Sequence, residues 1–203
     1  PATITVTGVG VYKSGNRETS GTGVSGISHF DSPNTLTINS DATVVIQAKA
    51  TGATYTPGTG AIHKDAGAAG IYNLNGGDTI VNAPLDITAE ATAGTASGGS
   101  TSGETTAIAL ARGIYNKSNS KVTVGATTVD VTAKGGQATG YEVSTEAQAT
   151  GVYHATVQGD LTIKNVYAES GTATGSNTGS SAAVDYATAL GVTGSEVQGN
   201  LVI

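Results

Sequence analysis

The chain has 203 residues, a formal net charge of −6 and an isoelectric point near 4.8, and Thr, Ala, Gly and Ser dominate it. Nine scattered Lys and Arg residues exclude the basic surface that a nucleic-acid partner needs, and the absence of Cys excludes a disulfide framework and thiolate chemistry. No apolar run approaches the ~20 residues of a membrane helix.

Small polar residues bury little area against the entropy of ordering the chain, so this composition alone would suit disorder. Short β-branched runs recurring at regular intervals argue for strands instead. Ile4-Thr5-Val6-Thr7 is the first alternating segment. Gly26-Ile27-Ser28-His29 then opens a repeat that returns as Gly70-Ile71-Tyr72-Asn73, Gly113-Ile114-Tyr115-Asn116, Gly151-Val152-Tyr153-His154 and, decayed, Gly191-Val192-Thr193-Gly194. The spacings are 44, 43, 38 and 40 residues. A second segment follows each glycine, carried by Leu36 and Ile38, Ile80 and Val81, Val122 and Val124, Leu161 and Ile163, and Leu201 and Ile203. Turn-forming residues such as Asp31-Ser32-Pro33-Asn34 and Asn75-Gly76-Gly77-Asp78 separate the two.

A third segment runs over Val44 to Ala50, Leu85 to Ala91 and Val129 to Lys134, aligned end to end. Polar excursions follow it at Thr51 to Gly60, Thr92 to Glu104, Gly135 to Gln148 and Gly171 to Ser181. The pattern predicts an all-β fold, a parallel β-helix with about 38–44 residues per coil, three strands and one long loop in each. The general crossover preference makes it right-handed. Residues 1–203 read as one solenoid segment. The chain starts without Met and stops in mid-strand at Leu201-Val202-Ile203, so it reads as a piece of a longer protein.

In a parallel stack each position meets its equivalent above and below, so chemistry is read down columns. Lys49, Glu90, Lys134 and Glu169 align as a column of alternating charge. Tyr72, Tyr115 and Tyr153 form a second column, either a structural ladder of offset rings or a stacking platform for a sugar. Their facing stays open: the tyrosines share parity with Ala68, Ala111 and Ala149, opposite to Ile71, Ile114 and Val152, unless a bulge at Gly70, Gly113 and Gly151 resets the alternation. Asn73, Asn116, His154 and His29 make a corner column suited to a hydrogen-bonded ladder.

His29, His63 and His154 lie more than thirty residues apart, without acidic partners in their columns, which disfavours a metal site. No G-x-S-x-G elbow is present, and no cofactor motif is complete. Asp86 and Asp130 align as column neighbours, the one place where paired carboxylates could serve a polysaccharide-cleaving site. Asn116-Lys117-Ser118 fits a glycosylation sequon that also arises by chance.

Ala111-Arg112-Gly113-Ile114-Tyr115-Asn116, followed by Val122-Thr123-Val124, Val129 to Ala133 and a Gly/Thr/Ser-rich connection, resembles the passenger domains of Gram-negative autotransporters. The likeness spans essentially the whole chain and lies in texture and repeat shape. It implies export through the periplasm, display at the cell surface or secretion, and, in the full-length protein, attachment to an outer-membrane barrel. The expected role is adhesion or aggregation through a host or bacterial surface protein, a glycan or a second copy, without catalysis. A polysaccharide-cleaving or tail-spike-like β-helix and a structural stalk are the alternatives.

Overall fold

The computed structural model describes residues 2–9, 18–19, 22–53, 62–99, 103–117, 119–176 and 183–203. Among them every regular element is a strand, and every strand-to-strand ladder is parallel, pairing equivalent segments of successive coils. The chain is a parallel β-solenoid. Parts of the polar excursions at residues 54–60, 100–102 and 177–181, and Ser118 of the sequon, lie outside the described residues.

Each coil visits the sheets in the same order. The glycine-marked sheet holds Thr22–Phe30, Ala66–Leu74, Glu104–Asn116, Glu142–Tyr153 and Ala183–Thr193, with Glu18–Thr19 and Ile62–His63 as short leading pieces. A corner then leads to a short sheet of Leu36–Asn39, Thr79–Asn82, Val122–Val124, Thr156–Val157 and Glu196–Val197. The six-stranded third sheet stacks Ala2–Val9, Val44–Thr51, Leu85–Thr92, Thr127–Lys134, Leu161–Glu169 and Leu201–Val202. Ile4-Thr5-Val6-Thr7 is its first copy, with Ile4 opposite Ile46.

Alternation explains which side chains fill the interior. In the third sheet Ile46, Ile87, Val129 and Ile163 form one inward column and Val44, Leu85, Thr127 and Leu161 another. Thr127 tolerates that apolar position because its hydroxyl donates to Gly125 O at 2.9 Å. Across the core, the glycine-marked sheet offers only Ala66, Ala109 and Ala147 in one column and Ala68, Ala111 and Ala149 in the next. Along these columns large residues on one wall meet small ones on the other.

The glycines take this asymmetry to its limit. A Cβ at Gly113 would sit 2.6 Å from Val129 Cγ1, and one at Gly70 or Gly26 would overlap Cγ2 of Ile87 or Ile46. The ladder register omits these glycines, and both Gly113 and the following Ile114 are buried, so two successive residues face inward. The alternation is reset there: Arg112 and Tyr115 face out, while Ala111, Ile114 and Asn116 face in.

Three expectations require correction. Leu161, Ile163 and Leu201 belong to the third sheet, opposite Thr127, Val129 and Leu161, and not to the second segment. The corner occupies residues 117–121 in the third coil and only 154–155 in the fourth, so the next apolar pair after the short corner is already the third sheet. The excursions are not plain loops either. Thr95–Ser97, Gln137–Gly140 and Thr172–Gly175 form a fourth sheet, and the glycine-marked strands begin as early as Glu104 and Glu142. Ala96 and Ala138 are fully buried in that sheet.

The charge column is the third correction. Lys49 faces Glu90, but Glu90 faces Thr132, while Lys134 lies between Thr92 and Glu169. The strand Thr127–Lys134 sits two residues away from the end-to-end alignment, a shift that preserves parity and keeps Val129, Val131 and Ala133 inward, with Thr127 the one inward polar residue. The same shift separates the two aspartates: Asp86 faces Val45 and Thr128, and Asp130 faces Thr88 and Asn165.

Replacing Gly70 with Ala forces a methyl group against Ile87 and the Gly113 carbonyl. It should cost about 1–3 kcal/mol, read from urea denaturation. Gly23→Ala places its Cβ where no atom lies within 4 Å, and its midpoint should stay within about 0.5 kcal/mol of the parent. Equal effects at the two sites would show that the interior does not impose the glycine.

Candidate functional site

Resetting the alternation turns the tyrosines out of the core. Tyr72, Tyr115 and Tyr153 occupy one outward row of the glycine-marked sheet, half-buried against one another. Ring centroids are 5.7 Å apart between Tyr72 and Tyr115 with planes at 7°, and 5.0 Å between Tyr115 and Tyr153 at 18°. The Arg112 guanidinium lies beside this row, with Cζ 4.1 Å from the Tyr115 centroid and 5.9 Å from that of Tyr72. Each ring pair contributes about 0.5–1.5 kcal/mol beyond its buried area, and the cation on the ring about 0.5–1 kcal/mol.

The row has two different ends. At one end His154 leaves the tyrosine register: its φ of 53° places it in the left-handed region, and its imidazole stacks on Tyr153 at 4.2 Å and 8°. At the other end the equivalent of Tyr72 is the exposed Ser28. Beside it runs a groove of about 240 Å³ over Gly23, Ser25, Gly67 and Ala69, walled by Tyr72 and Arg112. These small residues occupy rows that carry Leu110 and Arg112 in the next coil, so the groove is where the outward face loses its side chains.

The corner column is built as a ladder for three of its four members. Asn73 and Asn116 are buried and point inward; their Nδ2 groups donate to Gly77 O at 3.1 Å and Ser120 O at 2.9 Å, each four residues on. Gly76 N–H donates back to Asn73 Oδ1 at 3.1 Å, and Asn116 also donates to His154 O at 3.0 Å. His29 meets the Thr79 hydroxyl at 2.9 Å through Nδ1. His154 departs from the ladder: it contributes its carbonyl while its ring is turned outward onto Tyr153. Satisfied polar groups of this kind fix the corner, since stripping one partner would strand a buried amide.

The charged residues form separate surface contacts. Lys49 Nζ lies 2.9 Å from Glu90 Oε2, and the hydrogen bond and charge of that carboxylate raise the Lys49 pKa. Lys164 is the extra residue at the irregularity between Val129/Asp130 and Ile163/Asn165, and its Nζ reaches to 3.8 Å from Asp86. Asn165 Nδ2 donates to Asp130 Oδ1 at 3.2 Å. Asp86 and Asp130 thus have different partners; they are not direct register partners but stand diagonally, two residues apart, on adjacent strands.

One polar arrangement is invisible in the sequence. The Thr106 hydroxyl donates to Asp65 Oδ1 at 3.1 Å and lies 2.7 Å from His63 Nδ1, so its single proton is spent on the carboxylate and it accepts from the imidazole. That order is carboxylate, hydroxyl, imidazole; a nucleophile would need the imidazole to accept from the hydroxyl. Thr106 is also buried, and Ile108 N–H shares the same carboxylate oxygen at 3.0 Å. The contact braces two coils. Only the ladder register, which sets Thr106 opposite His63, brings these residues together. Among the described residues no group of three or more His, Cys, Asp or Glu stands close enough to hold a metal ion.

A last cluster lies further up the outward face. Glu146 is buried beside Tyr186, its register partner, and accepts a hydrogen bond from Gln148. The hydrogen bond to Glu146 foremost, then burial and the charge of Glu146, push the Tyr186 phenol up to about 12. For an acid with a raised pKa, the folded state favours the protonated form. This stabilisation is complete below the ordinary phenol value of 10.0 and is lost as pH rises through about 12. Near-ultraviolet titration should show late ionisation from Tyr186 and from Tyr167, whose phenol is also raised by its hydrogen bond to Glu169, and Tyr186→Phe should remove the latest part of it; an unchanged upper limb in the variant would refute the contact. Compared with known proteins, the chain matches no family model, and no significant match is found among curated proteins or solved structures.

Proposed function

We propose that the chain is a segment of a surface-displayed, autotransporter-like passenger and acts in adhesion or aggregation, with the outward Tyr72–Tyr115–Tyr153–His154 row and its Arg112 flank as the contact face. The observation that carries the reading is that row: rigid aromatic side chains and an arginine held half-exposed on a continuous parallel sheet. Tyrosine and arginine are the residue types that supply most energy at recognition surfaces, because each offers large area or several donors for little lost side-chain freedom. The scaffold adds rigidity, since every strand of the row is paired to its neighbours. The partner is a host or bacterial surface protein, a glycan or a second copy; display on the outer surface of a Gram-negative cell follows from the resemblance.

Beads coated with the 203-residue chain should adhere to matrix- or glycan-coated surfaces, or clump with one another. The triple variant Tyr72→Ser, Tyr115→Ser, Tyr153→Ser should fold, because Ser28 and Thr193 hold the same column in the first and last coils. It should lose most of the adhesion. Failure of the parent beads to adhere or clump, or full adhesion by the folded triple variant, would overturn the assignment to this face.

A further inference from the structure

A column of stacked rings hides its own faces. Tyr115 has Tyr72 on one side and Tyr153 on the other, and the far side of Tyr153 is covered by His154. Tyr72 is the exception. Its face away from Tyr115 points to the first coil, where the register places Ser28, and a hydroxymethyl group covers none of a ring. Among the described residues the ladder is therefore open at one end, and the open end adjoins the groove over Gly23, Ser25, Gly67 and Ala69.

The groove has a charge as well as a floor. Arg112 lines it, held in place by its contact with the Tyr115 ring. Its neighbours in the same outward row are Ala69 and Thr150, and among the described residues no carboxylate forms an ion pair with it. A guanidinium stacked on a ring keeps its N–H edge for an in-plane acceptor, and a carboxylate fits that edge with two hydrogen bonds. In a chain of net charge −6 this is a local positive site on an acidic surface.

Size and openness choose between ligand types. At about 240 Å³ the groove is smaller than the roughly 300–1,000 Å³ of enclosed small-molecule sites. It lies open along the sheet face, which suits one residue of a longer chain passing over the surface. We propose that this groove binds an acidic hexose residue of a glycan, with one pyranose face on the free face of Tyr72 and the uronate carboxylate on Arg112. The assignment names the ligand class for the adhesive face proposed above and rests on that reading only for the source of the glycan. One such site is weak by itself; a polymer carrying many uronates would engage many displayed copies at once.

Calorimetric titration of the full chain at neutral pH and low salt, with tri-galacturonic acid and with a neutral galactose trisaccharide, tests it. The acidic trisaccharide should bind saturably and at least about tenfold more tightly than the neutral one. Arg112→Gln should abolish that preference. Ser28→Tyr should extend the ladder over the open face of Tyr72, leave the melting curve unchanged or raised, and block the binding. Equal affinity for both trisaccharides, binding untouched by either substitution, or benzoate binding as tightly as the acidic trisaccharide would overturn the proposal. Should Ser28→Tyr misfold, Arg112→Gln decides alone. Bead adhesion that survives Ser28→Tyr, with no trisaccharide binding by the parent, defeats this proposal and leaves the adhesive reading standing. Trisaccharide binding without bead adhesion does the reverse.

Discussion

The branched side chains of Ile46, Ile87 and Val129 reach across the core to Gly26, Gly70 and Gly113, and the space they occupy is the space a Cβ on those glycines would need. This contact closes the two long sheets to the separation that the alanine columns set. It also makes two consecutive residues of the glycine-marked strand face inward, which reverses the phase of everything after them. Without the reversal Tyr72, Tyr115 and Tyr153 would point into an interior with no room for rings, and Ile71, Ile114 and Val152 would stand in solvent. The outward aromatic row is thus a consequence of core packing.

The interior gains little from bulk. About half of its buried apolar residues are alanine, with one or two branched residues per strand, so apolar burial per coil is modest and the parallel ladders and side-chain corners bear more of the specificity. Asn73 and Asn116 show how a corner is fixed: each amide closes its own turn onto a carbonyl four residues on, and Ser120 ties the third coil to the second through Gly76 O at 2.6 Å. Asn75, with φ of 53°, accepts the left-handed conformation that the turn demands, as Asp31 and His154 do in their coils. Away from the corner, Lys64, between Ile62–His63 and Ala66–Leu74, is wholly buried.

Much of this was legible from residues alone, and what was missed has physical causes. The glycine motif and period-2 runs identify the repeat and the parallel stack, because a column of identical environments selects like residues coil after coil. Register within a column is harder. Sliding Thr127–Lys134 by two residues keeps the same side chains inward, so hydrophobic pattern could not tell Lys134 from Thr132 as the neighbour of Glu90. The short fourth-coil corner hid the change of sheet at Leu161, since an apolar pair looks alike in either sheet. Ala- and Thr-rich stretches such as Glu142 to Gln148 read as loops because strand signals weigh large β-branched residues, which these stretches mostly lack. The contact between His63, Thr106 and Asp65 joins residues about one coil apart, and only the ladder brings them within reach.

A stack of near-identical coils tends to neutralise its own chemistry. Where a column continues, each ring or charge is taken up by its equivalent above and below, as Tyr115 is by Tyr72 and Tyr153, or Lys49 by Glu90. Reactive or adhesive capacity then survives where a column breaks: at Ser28, which leaves one face of Tyr72 open; at Arg112, which stands between the neutral Ala69 and Thr150; and at Lys164, squeezed out of register beside Asn165. The first two breaks fall side by side on the glycine-marked face. Their coincidence, rather than the length of the tyrosine ladder, singles out one end of that face as the place where a ligand can find an unshared ring and an unshared cation together.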